Sequence, residues 1–160
     1  MRTEIRKASE TDIPKLLPLM RELAEFEKYD RDFVITEQIL RAQGFRRSPP
    51  DFHCLVAQAG GGLVGYVAYY FVPFTYRARP NLIIKELYVV ESHRSKRIGE
   101  QLMREIANEA QRANCGVIKW WVAKWNHRSK KFYERLGARM DDDWAEFQLS
   151  EKAIRDLADW

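Results

Sequence analysis

The sequence predicts an α/β domain in which a mixed central β-sheet is flanked by helices. Two observations lead there. Runs rich in β-branched and aromatic residues occur at Phe52 to Gln58, Leu63 to Val72 and Leu82 to Val90, the composition that suits a pleated, half-buried surface. Around them, apolar residues recur three and four positions apart, the spacing that lines one face of a helix. No repeat, low-complexity segment or linker interrupts the order, so residues 1–160 read as one continuous domain.

The first strand is expected over Thr3 to Ala8. Ser9, Thr11 and Asp12 then offer helix caps, and Pro14 stands where a first helical turn tolerates it. Ile13, Leu16, Leu17, Met20, Leu23 and Ala24 give the following helix its apolar face. A second, short helix starts at the cap Thr36 and is expected to stop at Gly44. Gly60, Gly61 and Gly62 join strand to strand, which makes them a hairpin turn and not a phosphate loop opening a helix. After the third long strand come a basic loop and a helix with Ile98, Leu102, Met103, Ile106, Ala107, Ala110 and Ala113 on one side. Val117 to Val122 is the next strand, and a helix from about Ser129 to Leu136 ends at Gly137. Trp144 to Leu149 alternates like a late strand, and Ser150 caps a last helix expected to bury Ile154 and Leu157.

Composition excludes several classes of function. The chain is 46% hydrophobic and 31% charged, too apolar for a disordered chain. Its net charge of +4 suits a polyanionic small molecule or nucleic acid without demanding either. The long stretch free of acidic and basic residues, Phe52 to Tyr76, contains four glycines and Pro73 and does not suit a bilayer helix, so no membrane partner is expected. The first residues lack the apolar core of a signal peptide, and Cys54 and Cys115 read as core thiols, so a cytoplasmic location is expected. His53, His93 and His127 are widely separated and none has a Cys or His at ligand spacing, so no metal is expected.

The chemistry concentrates where the strand Leu87-Tyr88-Val89-Val90 runs into the loop His93-Arg94-Ser95-Lys96-Arg97 and a helix beginning near Ile98-Gly99-Glu100. A helix start presents unpaired N–H groups and about half a positive charge, to which Arg94, Lys96 and Arg97 add their own. Phosphate is the natural guest, and a solvated basic loop is the plain alternative. The stretch Arg94-Ser95-Lys96-Arg97-Ile98-Gly99 resembles the acyl-CoA signature of the GNAT superfamily of N-acetyltransferases: Arg or Gln, two residues, Gly, one residue, then Gly or Ala. Arg97 stands where that pattern has its first glycine. Further on, Asn126, the pair Phe132-Tyr133 and Gly137-Ala138 are similar to the later signature of the same superfamily. Near the front, Arg21 to Glu27, Thr36 and Phe52 to Ala57 resemble its diamine (spermidine/spermine) N-acetyltransferase branch.

The resemblance implies a GNAT fold and transfer of acetyl from acetyl-CoA, a cosubstrate, to a primary amine by direct attack. It places backbone donors at Leu87, Tyr88 and Val89, the pyrophosphate on the loop from Arg94 to Glu100, and further cofactor contacts at Asn126 and Ser129. Helix capping is the plain reading of Asn126. Tyr133 matches the general acid of relatives, and a phenol with an ordinary pKa near ~10 carries the proton it must give at neutral pH. Without that context it reads as a packing aromatic. Positions matching the acceptor site are Phe26, Glu27, Lys85, Glu86 and Trp144, with Glu86 a candidate proton acceptor acting through water. Lys85 stands where relatives carry an acidic residue. It would oppose a polyamine and favour an amine that also bears a carboxylate, such as a lysine-like or thialysine-like amino acid. Strand alternation sends Lys85 and Glu86 to opposite faces, and a bulge would exchange them.

The expected acceptor is therefore a small-molecule amine: a diamine, a polyamine or a lysine-like amino acid. A protein or peptide amine is the alternative within the class, and a CoA-binding relative without turnover is another. A nucleic-acid module using Arg94, Lys96, Arg97, His127, Arg128, Lys130 and Lys131 lacks a recognisable motif and is not expected. Relatives often form homodimers, which the resemblance carries over as an expectation.

Overall fold

The computed structural model describes residues 2–160. The chain forms two compact units, one ending at Lys124 and the other spanning Trp125–Trp160. In the first, five strands lie in sequence order across one sheet: β1 (Glu4–Lys7), β2 (His53–Ala59), β3 (Gly62–Val72), β4 (Asn81–Val89) and β5 (Val117–Lys119). The first four pair antiparallel, whereas β4 and β5 are parallel and are joined through α3 (Ile98–Arg112). A parallel pair needs such a crossover, because no tight turn can reverse the chain twice.

Each face of the sheet carries its own core. Helix α1 (Ile13–Phe26) and the short α2 (Glu37–Leu40) pack on one face, where Ile13, Leu16, Met20 and Leu23 meet Cys54, Val56, Tyr66, Ala68 and Tyr88. Helix α3 packs on the other, where Ile98, Leu102 and Ile106 meet Leu55, Ala57, Val67, Leu82 and Ile84. The alternation of Cys54, Leu55, Val56 and Ala57 between these two clusters is the period-two signature of a strand buried on both sides. Gly60 and Gly61 take φ of 58° and 78° in the β2–β3 turn, the left-handed geometry that tight hairpins need.

Some expected boundaries move. The helix expected to stop at Gly44 runs on through a π-helical turn, Arg41–Arg46. Gly44 is a packing residue there: a Cβ would stand 2.5 Å from Cζ of Phe52, so its smallness admits the ring. Strand β5 is only three residues long, because its ladder with β4 ends at Ile83 and Lys119. The second unit holds α4 (His127–Arg135) and α5 (Glu151–Ala158), capped by Asn126 and Ser150 side chains. Gly137 follows α4 at φ 92°, as a left-handed helix end requires. Trp144 to Leu149 alternates but forms no strand, since alternation sets the faces of a strand and only pairing makes one. Ile154 and Leu157 stay about half exposed on α5, at 55% and 48%. Cys54 is buried, but Cys115 is only partly so. Among the described residues, no helix is long and apolar enough to cross a membrane.

One ion pair ties the start of α1 to the sheet. Arg6 donates to both carboxylate oxygens of Asp12 at 2.7 and 2.8 Å, and to Oε1 of Gln58 on β2, while the Ser9 amide donates to Asp12. These bonds, the Arg6 pair foremost, hold the Asp12 carboxyl down to about 2 despite its burial. A depressed carboxyl contributes stability that is present above its unfolded value near 3.8 and is lost as pH falls towards 2. Asp12→Asn is therefore expected to lower stability by about 2 kcal/mol at pH 7. Urea unfolding should show the gap closing between about pH 4 and pH 2.

Candidate active site

Strand β4 contains one residue more than its partner. Ala68 on β3 pairs with Glu86 and Tyr69 with Ile84, which leaves Lys85 as the extra residue of a bulge. In an unbroken strand Glu86 would share the α3 face with Leu82 and Ile84. The bulge shifts the phase, so Leu87 and Val89 now pack towards α3, whereas Tyr88 packs against the α1 cluster and Glu86 bonds to Tyr66 of that same cluster.

Glu86 is nearly enclosed, its side chain 15% exposed. Its Oε1 accepts from the Tyr66 hydroxyl at 2.9 Å, and its Oε2 lies 3.4 Å from the Tyr29 hydroxyl and 3.5 Å from Lys85 Nζ. Lys85 lies at the rim with 63% of its side chain exposed, so this ion pair is a solvent-screened one. Glu27, just past α1, is pushed above the ordinary carboxylate range by burial first and the charge of Glu86 second, with Lys85 opposing. Burial and then the same two carboxylates raise the Tyr29 phenol, and burial and Glu86 raise Tyr66, so both stay protonated donors. Two carboxylates, two phenols and one ammonium thus meet where α1 ends against β4, an arrangement suited to hold a cation and take up a proton.

The loop after β4 approaches the same place. Arg94 donates from Nε to the Val89 carbonyl at 3.0 Å, and its guanidinium carbon lies 5.3 Å from the Phe26 ring centre and 5.7 Å from that of Tyr88. The Tyr88 hydroxyl in turn donates to Glu22 of α1 at 2.9 Å. Next, Ser95 and Arg97 take φ of 65° and 60°, the latter at the cap of α3, and Ile98 is buried beneath them. Left-handed residues on either side of Lys96 make a turn of the kind that can gather backbone N–H groups into a concave, anion-favouring nest. Lys96 and Arg97 are exposed beside it, Gly99 adds no side chain to the first turn of α3, and Glu100 sits in that turn.

The parallel ladder supplies an opening. Pairing of β4 with β5 stops at Ile83, so Ile84 to Val89 have no β5 partner and this edge of β4 opens towards the loop. An edge strand for an extended amide-bearing chain, leading to a nest for phosphates, fits acetyl-CoA. In the second unit, Asn126 and Ser129 come together as a cap, Asn126 Oδ1 accepting from the Ser129 amide at 3.1 Å. Tyr133 lies on α4 with its ring 5.0 Å from that of Phe132, and Trp144 lies beyond it, largely exposed.

The sequence family described as acetyltransferase (GNAT) matches residues 16–138, a span that runs through both units. The chain belongs to the GNAT acetyltransferase family. A thialysine N-epsilon-acetyltransferase of Mus musculus is 35% identical over 98% of this chain and 97% of its own length. A protein of the same name from Sus scrofa is 36% identical over 96% of each. Among solved structures, an integron cassette protein from the mobile metagenome of V. cholerae superposes with a TM-score of 0.81 at 23% identity, covering 99% of this chain and 98% of that one.

In this acetyltransferase the structure groups Phe26, Glu27, Lys85, Glu86 and Tyr88 with Arg94, and sets Asn126, Ser129, Tyr133 and Trp144 in the second unit. The sequence motifs give no role to Tyr29 or Tyr66, and Glu22 stands in the Arg21 to Glu27 stretch without a role of its own. Tyr66 does carry a signal in the sequence: a tyrosine hydroxyl on a strand buried on both faces needs a hydrogen-bond partner.

Arg97 takes a left-handed backbone at the position where the motif has glycine, at a cost of about 1 kcal/mol for a side chain with a Cβ. Arg97→Gly is expected to raise stability by about that amount in thermal or urea unfolding. Calorimetry should show weaker CoA binding at low salt, with the difference shrinking as salt screens the lost charge.

Proposed function

We propose that this acetyltransferase moves the acetyl group of acetyl-CoA to the side-chain amine of a small lysine-like or thialysine-like amino acid, with diamines as poorer acceptors. The observation that carries the reading is the exposed Lys85 ammonium 3.5 Å from the nearly enclosed Glu86 carboxylate, with Glu27 close enough to feel the charge of both. The carboxylates suit the acceptor's ammonium, and Lys85 suits a carboxylate at its other end. A diamine or polyamine would instead bring a second cation against Lys85, opposed by about 4 kcal/mol at 4 Å for an effective dielectric of 20 and by about 1 in water. Thialysine, for which the mammalian relatives are named, carries this pairing of amine and carboxylate.

An amine with a pKa near 10.4 is uncharged in about one molecule in a few thousand at pH 7, so attack requires loss of a proton. Glu86 is assigned that proton, through water. Attack of the freed lone pair on the thioester carbonyl forms the C–N bond and places negative charge on oxygen, to which a β4 amide between Leu87 and Val89 donates. As the oxyanion collapses and the C–S bond breaks, Tyr133 gives its proton to the departing thiolate, and the second proton of the amine nitrogen, lost as the amide forms, passes through solvent to restore the phenol. The nest at Ser95 and Arg97, with Lys96, holds the pyrophosphate, and Asn126 and Ser129 contact the remainder of the cofactor. The reading treats both units as one N-acetyltransferase domain and the protein as a cytoplasmic homodimer.

Thiol release from acetyl-CoA should be measured across lysine, thialysine, spermidine, short diamines and a lysine peptide, with amine-free controls. Faster release with the amino acids supports the reading, whereas preference for spermidine or the peptide, or no release with any amine, overturns it. Tyr133→Phe is expected to cut kcat about a hundredfold with unchanged CoA affinity, and unaltered turnover would remove its role as the acid. Lys85→Glu is expected to move the preference towards diamines by roughly tenfold or more in relative kcat/KM. A preference that stays put would mean that Lys85 does not meet the acceptor.

A further inference from the structure

The two oxygens of Glu86 are held differently. Oε1 takes a 2.9 Å bond from Tyr66, whose side chain is fully buried in the core between the sheet and α1. Among the described residues, Oε2 has the longer contacts, 3.4 Å to Tyr29 and 3.5 Å to Lys85, both from groups nearer the solvent. A carboxylate free to turn about its last torsion presents either oxygen, because that torsion is broad and two-fold. One pinned by a buried phenol presents one.

We infer that Tyr66 is a positioning residue for Glu86 in the reaction proposed above, on which this inference rests: it fixes Oε1 as the anchor and leaves Oε2 as the oxygen that meets the acceptor's ammonium or its bridging water. Tyr66 remains a neutral donor at neutral pH, since burial first and the charge of Glu86 second push its phenol well above the ordinary tyrosine range. Its ring sits 6.5 Å from that of Tyr88, whose hydroxyl is tied to α1 through Glu22, so the anchor belongs to the rigid part of the molecule. The charged and titratable groups around Glu86 come from each neighbouring element: Glu27 and Tyr29 after α1, Cys54 on β2, Tyr66 on β3 and Lys85 on β4. Tyr66 gives the short bond, and its removal withdraws a donor from the ionised carboxylate.

The test is Tyr66→Phe, which deletes one hydroxyl and keeps the ring. The expected result is a fall in kcat/KM for the amine of about tenfold, CoA affinity unchanged, and an acid limb of the kcat/KM profile moved to higher pH. In the Glu86→Gln background the same substitution should cost little more. Glu86→Asp, which retracts the carboxylate from Tyr66 without removing its charge, should move the limb the same way and serves if the phenylalanine variant does not fold. An acid limb that stays in place, or full additivity with Glu86→Gln, overturns the inference. If no amine supports thiol release, the acetyl-transfer reading fails by itself. The positioning is then read in a crystal structure of Tyr66→Phe, in which the Glu86 carboxylate should turn away from its place beside residue 66, and an unmoved carboxylate overturns it.

Discussion

The extra residue at Lys85 in β4 sets the direction of each side chain that follows it in that strand. Leu82 and Ile84 lie against α3, and strict alternation would send Glu86 and Tyr88 there too, placing a carboxylate in an apolar cluster. The bulge avoids that cost by handing the α3 face to Leu87 and Val89 and turning Glu86 towards the Tyr66 hydroxyl. A bulge also bends its strand. The ladder to β5 ends at Ile83, two residues before Lys85, so one local irregularity accompanies both the buried carboxylate and the opening beside it.

How much of this is legible in the sequence depends on the range of the interaction involved. The hairpin at Gly60 and Gly61, the cap at Ser150 and the left-handed end at Gly137 depend on neighbouring residues, and local pattern finds them. Gly44 misleads, because the reason for its glycine is Phe52, eight residues away and packed against it. Trp144 to Leu149 misleads for the opposite reason: the local pattern is that of a strand, but no ladder forms around it. At the site, the motif residues stand out in the sequence through their resemblance to the GNAT signatures, whereas Tyr29 and Tyr66 reach Glu86 across 57 and 20 positions of sequence. Their partnership becomes visible once the register of β3 on β4 is known.

The cations of the loop divide by what already holds them. By charge alone Arg94, Lys96 and Arg97 are equivalent, but Arg94 is only partly exposed, over Phe26 and Tyr88 and bonded to the Val89 carbonyl. A guanidinium stacked and hydrogen-bonded in this way is a structural clamp between α1 and the end of β4. The charge left to move is that of Lys96 and Arg97. Arg97 carries it from a strained backbone position, and the strain has a physical sense: the loop keeps the shape that aims its amides while gaining a cation that glycine could not supply.

The same clamp joins the two halves of the first unit's site. Phe26 precedes Glu27 and is held by Arg94; Tyr88 follows Glu86 by two residues, packs under the same guanidinium and bonds to Glu22. The carboxylate pair and the basic turn at Ser95 to Arg97 therefore share a connection a few residues long, in place of two independent loops. A site for amine attack on a thioester needs such a connection, because reacting atoms must meet to within a few tenths of an ångström while the cofactor is gripped many bonds away. In this chain the connection consists of one cation, two aromatic rings and a phenol–carboxylate bond, all anchored on α1 and β4.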